Sequence, residues 1–188
     1  MIGRRETGFV ENDIVTIEEL RHFVRDVPDF PTPGVVFKDI TPLLANPGAF
    51  NKSIDWLART LDDAGVQEIL AIESRGFIFG AAVSAHMSIP LQLVRKSGKL
   101  PGAKVGLDYE LEYGTDRIEI HSDVLDRETR YGIVDDLIAT GGTAMATVQL
   151  AQKHGAKIAC CAFLIELAFL GGRAKLSGCR VESLLLYD

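Results

Sequence analysis

Cysteine is scarce in this 188-residue chain: there are three, an odd number, and Cys160 and Cys161 are adjacent inside an apolar run. That pattern excludes a disulfide framework and fits a reducing compartment. The thiols read as core residues. Long apolar runs are missing too. No stretch reaches the ~18 uninterrupted apolar residues of a membrane span, and the first fifteen residues hold no apolar signal core, so the expected location is the cytoplasm. Cationic clusters are also lacking: no basic run exceeds Arg4-Arg5 or Arg95-Lys96, and 26 acidic against 20 basic residues leave a net charge of -6. Binding to a nucleic-acid backbone is thereby disfavoured, since it depends on clustered Lys and Arg. His22, His86, His121 and His154 lack the spacing of a metal site. Two nucleotide motifs are absent as well: the chain has no G-x-x-x-x-G-K-[ST] and no G-x-G-x-x-G after a strand.

What is present is ordinary globular composition, 47% hydrophobic and 24% charged, in a chain long enough to bury one core. A single domain over residues 1–188 is expected. Thr16-Ile17-Glu18-Glu19 reads as a capping box ahead of a short helix that must stop before Pro28. Asn46-Pro47 opens a second helix, with Phe50, Ile54, Leu57 and Leu61 on one stripe and Gly65 ending it. Strands and helices then alternate. A strand over 69–72, a small-residue helix over 77–87 and a strand over 91–94 precede an exposed Gly/Lys/Pro loop over 97–106. Half-buried strands follow at 109–113 and 117–121, then a strand at 131–134. A polar turn over 135–143, a helix to about His154 and a strand over 158–165 complete the pattern. This order argues for βαβ units and a mainly parallel sheet.

Chemistry concentrates in Ile133-Val134-Asp135-Asp136-Leu137-Ile138-Ala139-Thr140-Gly141-Gly142-Thr143. An apolar strand delivers two adjacent carboxylates to its C-terminal end, where ligands bind in open α/β sheets. Ala139, Thr140, Gly141, Gly142 and Thr143 then supply small residues, close-approaching amides and two hydroxyls at a helix N-terminus, which is a phosphate cradle. Two carboxylates would repel the phosphate unless they bind something else. The hydroxyls of a sugar carrying that phosphate are suitable partners. On local physics alone, a plain acidic turn remains the alternative.

This segment resembles the phosphoribosyl pyrophosphate signature of type I phosphoribosyltransferases. Further segments, in order, resemble the adenine phosphoribosyltransferase family: Phe30-Pro31-Thr32-Pro33-Gly34-Val35-Val36-Phe37-Lys38-Asp39-Ile40, Ser74-Arg75-Gly76-Phe77, Arg95-Lys96 with Gly98-Lys99-Leu100-Pro101-Gly102, and Leu111-Glu112-Tyr113-Gly114. The likeness covers about residues 26–188. It implies an α/β fold with a five-stranded, mainly parallel core sheet flanked by helices. A small hood would come mainly from residues 26–45, with C-terminal contributions. It further implies that Asp135 and Asp136 hold the ribose hydroxyls and that residues 139–143 hold the 5'-phosphate. Ser74 and Arg75 would meet the pyrophosphate on a loop where the family often has a cis peptide. Lys96 and Lys99 would lie in or beside a loop that closes over the reaction, and Glu112 would exchange a proton with the purine. Backbone groups of Val36 and Lys38 would read the adenine edge, with Phe37 and Leu167 near the base. Lys38 stands where Arg is common, and Glu73 where Asp is common.

The reaction implied by the resemblance is transfer of phosphoribosyl from phosphoribosyl pyrophosphate to adenine, giving AMP and pyrophosphate. Mg2+ would be held by pyrophosphate and ribose oxygens with no direct protein ligand, and a homodimer is implied. Two alternatives stay open: another purine base, or a phosphoribosyl-sensing regulator that binds without turnover.

Overall fold

The computed structural model describes residues 16–110 and 114–188. The chain divides into two compact units, residues 1–53 and 54–188. In the first, the capping box closes: the Thr16 N–H donates to Glu19 Oε2 (2.7 Å) and the Glu19 N–H to Thr16 Oγ1 (3.3 Å). Only a 3-10 turn follows, Glu19–Phe23, because Val24 is already extended and leads into β1 (Arg25–Val27). β1 pairs antiparallel with β2 (Phe37–Asp39), which sets Arg25 opposite Asp39 and Asp26 opposite Lys38. Both pairs are closed ion pairs at 2.6 Å. Short helix α1 (Thr41–Ala45) follows. Helix α2 (Pro47–Asp63) begins where expected, with Asn46 Oδ1 accepting from the Ala49 N–H at 2.9 Å.

The second unit is built on a seven-stranded sheet. Its strands are β3 (Glu68–Ile72), β4 (Leu91–Lys96), β5 (Lys104–Glu110), β6 (Thr115–His121), β7 (Arg130–Ile138), β8 (Lys157–Leu167) and β9 (Val181–Tyr187). They lie in the order β5-β6-β4-β3-β7-β8-β9. The five strands from β4 to β9 pair in parallel, and β6 and β5 extend the β4 edge antiparallel. Helices α3 (Gly76–Met87), α4 (Gly142–Lys153) and α5 (Gly172–Lys175) connect them. Continuous burial along β8, residues 160–167, is what a parallel strand covered on both faces requires. Close layers depend on small residues: a Cβ at Gly80 would fall 2.5 Å from that of Ala71, and one at Gly132 would fall 2.8 Å from Leu61 Cδ2.

Three local boundaries differ from the sequence expectation. The turn expected over 135–143 is strand as far as Ile138, since Asp135, Leu137 and Ile138 stay in register with Phe163, Ile165 and Glu166 of β8. Ladder pairing overrides the polarity of the two aspartates. The loop expected to Gly106 ends at Lys104, which pairs with His121. Edge strand β9, VESLLLY, was not assigned from the chain's pattern, although its apolar run pairs along β8.

Numbered in chain order, the five parallel strands run 2-1-3-4-5. The order reverses between β3 and β7, and the crevice outside the C-terminal ends at such a switch point is where open α/β sheets bind ligands. The residues following β3 and those ending β7 therefore meet in one place.

Candidate active site

At that switch point β3 delivers Glu73, Ser74 and Arg75, and β7 delivers Asp135 and Asp136. The peptide between Glu73 and Ser74 is cis. α3 starts directly afterwards, so close to β7 that a Cβ on Gly76 would lie 2.7 Å from Asp135 Oδ1 and 3.0 Å from the Val134 carbonyl oxygen. Arg75 Nη2 lies 2.8 Å from Asp136 Oδ2, and that oxygen accepts no hydrogen bond, so the contact is an ion pair without an aligned N–H. Asp136 is buried and Asp135 half-buried. They are not the solvent-facing turn carboxylates that a polar turn would present. Burial, and then the neighbouring Asp136 charge, push the Asp135 carboxyl well above the usual carboxylate range. Burial raises Asp136 as well, with Arg75 opposing. Two raised, adjacent carboxylates make a site that gains from hydroxyl donors or a cation. Among the described residues no group of three or more His, Cys, Asp or Glu side chains could hold a metal ion. The unbonded Asp136 oxygen and the all-oxygen donor pair fit a hard cation brought in by substrate oxygens.

Beside the pair, residues 137–144 and Asp135 line a cleft of about 130 Å3. Gly141 is left-handed (φ +75) and caps α4, whose first-turn amides have no acceptor within the helix. Backbone packing holds this loop from behind. A Cβ on Gly141 would lie 2.5 Å from the Gly172 carbonyl oxygen, and one on Gly172 would lie 2.2 Å from that of Ala139. Next to Gly172, Arg173 grips Glu166 of β8 in a two-pronged pair, Nε to Oε1 at 3.0 Å and Nη2 to Oε2 at 2.6 Å. The arrangement can hold a tetrahedral anion against helix amides while the carboxylates face its carrier.

Lys96 ends β4 and Lys99 is exposed on the loop that follows. Glu73 anchors this corner, accepting from Arg95 Nε (3.0 Å) and from the Lys96 N–H (2.8 Å). The Glu at this position, where Asp is common in the family, thus has a defined task. Lys96 Nζ pairs with Asp116 and donates to Tyr109 Oη at 2.7 Å, and Tyr109 Oη lies 3.1 Å from Thr143 Oγ1, which lines the cleft. The structure thus brings together Ser74, Arg75, Asp135, Asp136 and residues 139–143 around one crevice, and joins Lys96 to it through Tyr109.

Leu167 is the buried last residue of β8. In the first unit Val36 is exposed, Phe37 packs edge-on to Phe30 at 5.2 Å, and Lys38 turns its buried ammonium to Asp26. Glu112 lies outside the described residues. Tyr109, Asp116 and Gly172 carry no signal in the sequence, because a polar residue on a strand and an isolated glycine make no motif; Gly76 is legible only as part of Ser74-Arg75-Gly76-Phe77.

The phosphoribosyl transferase domain family matches residues 39–176. An adenine phosphoribosyltransferase of Prochlorococcus marinus is 49% identical over 171 residues, covering 90% of this chain and 99% of the relative. The crystal structure of adenine phosphoribosyltransferase from Thermoanaerobacter pseudethanolicus is similar with a TM-score of 0.89 at 46% identity, covering 92% of this chain and 100% of that one. The Saccharomyces cerevisiae enzyme, solved with D-2,5-dideoxy-2,5-imino-altritol 1,6-bisphosphate and adenine, has a TM-score of 0.85 at 39% identity, covering 90% and 98%. With a small-residue loop and a carboxylate pair at the switch point of a type I phosphoribosyltransferase fold, and with these likenesses over nearly its whole length, the chain belongs to the adenine phosphoribosyltransferase family.

Proposed function

We propose that this chain transfers the 5-phosphoribosyl group of phosphoribosyl pyrophosphate to N9 of adenine, giving AMP and pyrophosphate. The observation that carries the reading is the anion cradle of residues 139–143 beside the carboxylate pair of half-buried Asp135 and buried Asp136. One ligand that satisfies both is a sugar phosphate whose hydroxyls donate to the carboxylates. In the transfer the C1'–O bond to pyrophosphate breaks and the C1'–N9 bond forms, with inversion. Asp135 and Asp136 hold the ribose hydroxyls and face the positive charge that develops on the sugar. Residues 139–143 hold the 5'-phosphate and so fix C1' in space. Ser74 and Arg75 hold the pyrophosphate, with Lys96 and Lys99 as further cations toward it, and the purine proton is assigned to Glu112. Mg2+ supplies charge neutralisation on the pyrophosphate when bound; no side chain is assigned as its direct ligand.

The hood is assigned to residues 26–45, with main-chain groups of Val36 and Lys38 reading adenine and with Phe37 and Leu167 beside the base. Adenine has an amino donor at C6 and an acceptor at N1, whereas hypoxanthine and guanine reverse both roles. A fixed backbone N–H and C=O therefore cannot re-pair without buried mismatches of ~1–3 kcal/mol each. An isologous homodimer belongs to the same reading and rests on the family resemblance. The cytosol is its proposed location. No helix among the described residues is long and apolar enough to cross a membrane.

A coupled spectrophotometric assay with each purine base, with and without Mg2+, tests the reading. Adenine is expected to exceed hypoxanthine and guanine by at least ~100-fold in kcat/KM. Comparable values for adenine and hypoxanthine refute the adenine assignment, and binding without turnover favours a sensing protein.

A further inference from the structure

A chain of four polar side chains links the phosphate cradle to Lys96. Lys96 Nζ pairs with Asp116 Oδ2 and donates to Tyr109 Oη at 2.7 Å. Tyr109 Oη donates to the same Asp116 oxygen at 3.1 Å and lies 3.1 Å from Thr143 Oγ1. A phenol has one proton. With that proton given to Asp116, Thr143 must donate its own to Tyr109, and the phenolic oxygen then accepts from both Lys96 and Thr143. Thr143 is in the first turn of α4, with its side chain in the cradle. Its hydroxyl proton can serve Tyr109 or an oxygen of a bound phosphate, not both.

Tyr109 is buried on β5, while Asp116 on β6 and Lys96 on β4 are half-buried. Asp116 and Tyr109 face each other across the β5–β6 ladder, where they are register partners. The ammonium is therefore held by a rigid sheet corner rather than by the exposed loop of Lys99. A lysine with four rotatable bonds gains most from such an anchor, because the rotamer freedom it would otherwise lose on meeting a ligand is already restricted.

We propose that Asp116 and Tyr109 are positioning residues for Lys96: they hold its ammonium at the edge of the crevice, and Tyr109 couples that hold to occupancy of the cradle through Thr143. When a 5'-phosphate takes the Thr143 proton, Tyr109 loses one of its two donors and the ammonium remains its only one, within reach of the pyrophosphate side. The inference rests on the phosphoribosyl-transfer reading above, and the test separates the two.

A double-mutant cycle reads it. Lys96→Ala and Asp116→Asn are each expected to lower kcat by roughly 10- to 100-fold, the scale of a misplaced catalytic group. The KM for adenine should stay within about twofold, and the double variant should be no slower than Lys96→Ala alone, again within about twofold, as required of groups acting through one another. Tyr109→Phe, which keeps the ring and removes the hydroxyl, should show the same non-additivity with Lys96→Ala, and it carries the test if Asp116→Asn fails to fold. Multiplicative losses, or a lowered melting temperature with unchanged kcat in both anchor variants, overturn the inference while the unaltered enzyme still makes AMP. No turnover of adenine by the unaltered enzyme overturns the transfer reading and this inference with it.

Discussion

Replacing Asp135 by Asn should make the protein more stable and less active, which is the opposite of what an ordinary structural carboxylate would show. Asp135 Oδ1 accepts the Asp136 N–H at 2.8 Å, and Asn offers the same acceptor at the same place. What it removes is a charge that burial and the Asp136 carboxylate both disfavour. A carboxyl whose pKa is raised by folding contributes stability that is fully present below its unfolded pKa, about 3.9. That contribution is lost as pH rises through the raised folded value. Above that raised value the unaltered protein lacks it, whereas a neutral amide has no such pH dependence.

A stabilising substitution is commonly worth about 0.5–2 kcal/mol, and a chain of this length shifts by ~2–4 °C per kcal/mol. The melting temperature of Asp135→Asn should thus exceed that of the unaltered protein by about 1–8 °C at pH 8, with the gap shrinking toward pH 5. Turnover should fall about 10- to 1000-fold, since the contact to ribose strengthens as positive charge develops. Phosphoribosyl pyrophosphate with Mg2+ should raise the melting temperature of the unaltered protein more than that of the variant. Calorimetric or fluorescence melts at the two pH values, with initial rates at saturating substrates, measure all of this. An early-melting variant with unchanged specific activity would falsify the assignment and restore the plain acidic turn.

Two further outcomes follow from the same geometry. Gly172→Ala puts a Cβ within 2.2 Å of the Ala139 carbonyl oxygen and 2.8 Å of the Gly141 nitrogen, so the cradle must shift. The KM for phosphoribosyl pyrophosphate should rise about tenfold or more, at a stability cost of ~1–3 kcal/mol; an unchanged KM refutes the view that Gly172 shapes the cradle. Cys179, half-buried and lowered to about 7 by a hydrogen bond from Cys161, should alkylate first with iodoacetamide, at a rate rising through pH ~7. Cys160 is pushed up to about 11 by burial, and mass spectrometry finding it modified before Cys179 would refute this.

The parallel sheet was legible because its strands are buried runs bounded by turn residues, and the cradle because small residues, hydroxyls and carboxylates occur together in one eleven-residue stretch. Lys96 could be placed near the crevice only by resemblance. Its partners Tyr109 and Asp116 were not visible, because antiparallel register, and not sequence spacing, sets them opposite each other. The end of β7 was misplaced for a related reason. Asp135 and Asp136 look like turn residues one at a time, but pairing with β8 keeps them extended, and that extension is what buries them.

What the sequence hides is the packing task of the site's glycines, including the two that lie in recognisable motifs. Gly76 lets the start of α3 press against the Asp135 carboxylate, and Gly141 and Gly172 let two backbone segments touch behind the anion cradle. Of the three only Gly76 abuts a charged group, and there the close approach of α3 that shapes the crevice also helps to shield the Asp135 carboxylate from water. Desolvation raises the two carboxylates, and raised carboxylates bind hydroxyls and cations more strongly than solvated ones do, because less water must be displaced when the ligand arrives. Gly76 and Asp135 therefore act together, while Gly141 and Gly172 shape the anion loop. Enlarging any of the three glycines should weaken phosphoribosyl pyrophosphate binding even though none of them supplies a side-chain donor or acceptor to it.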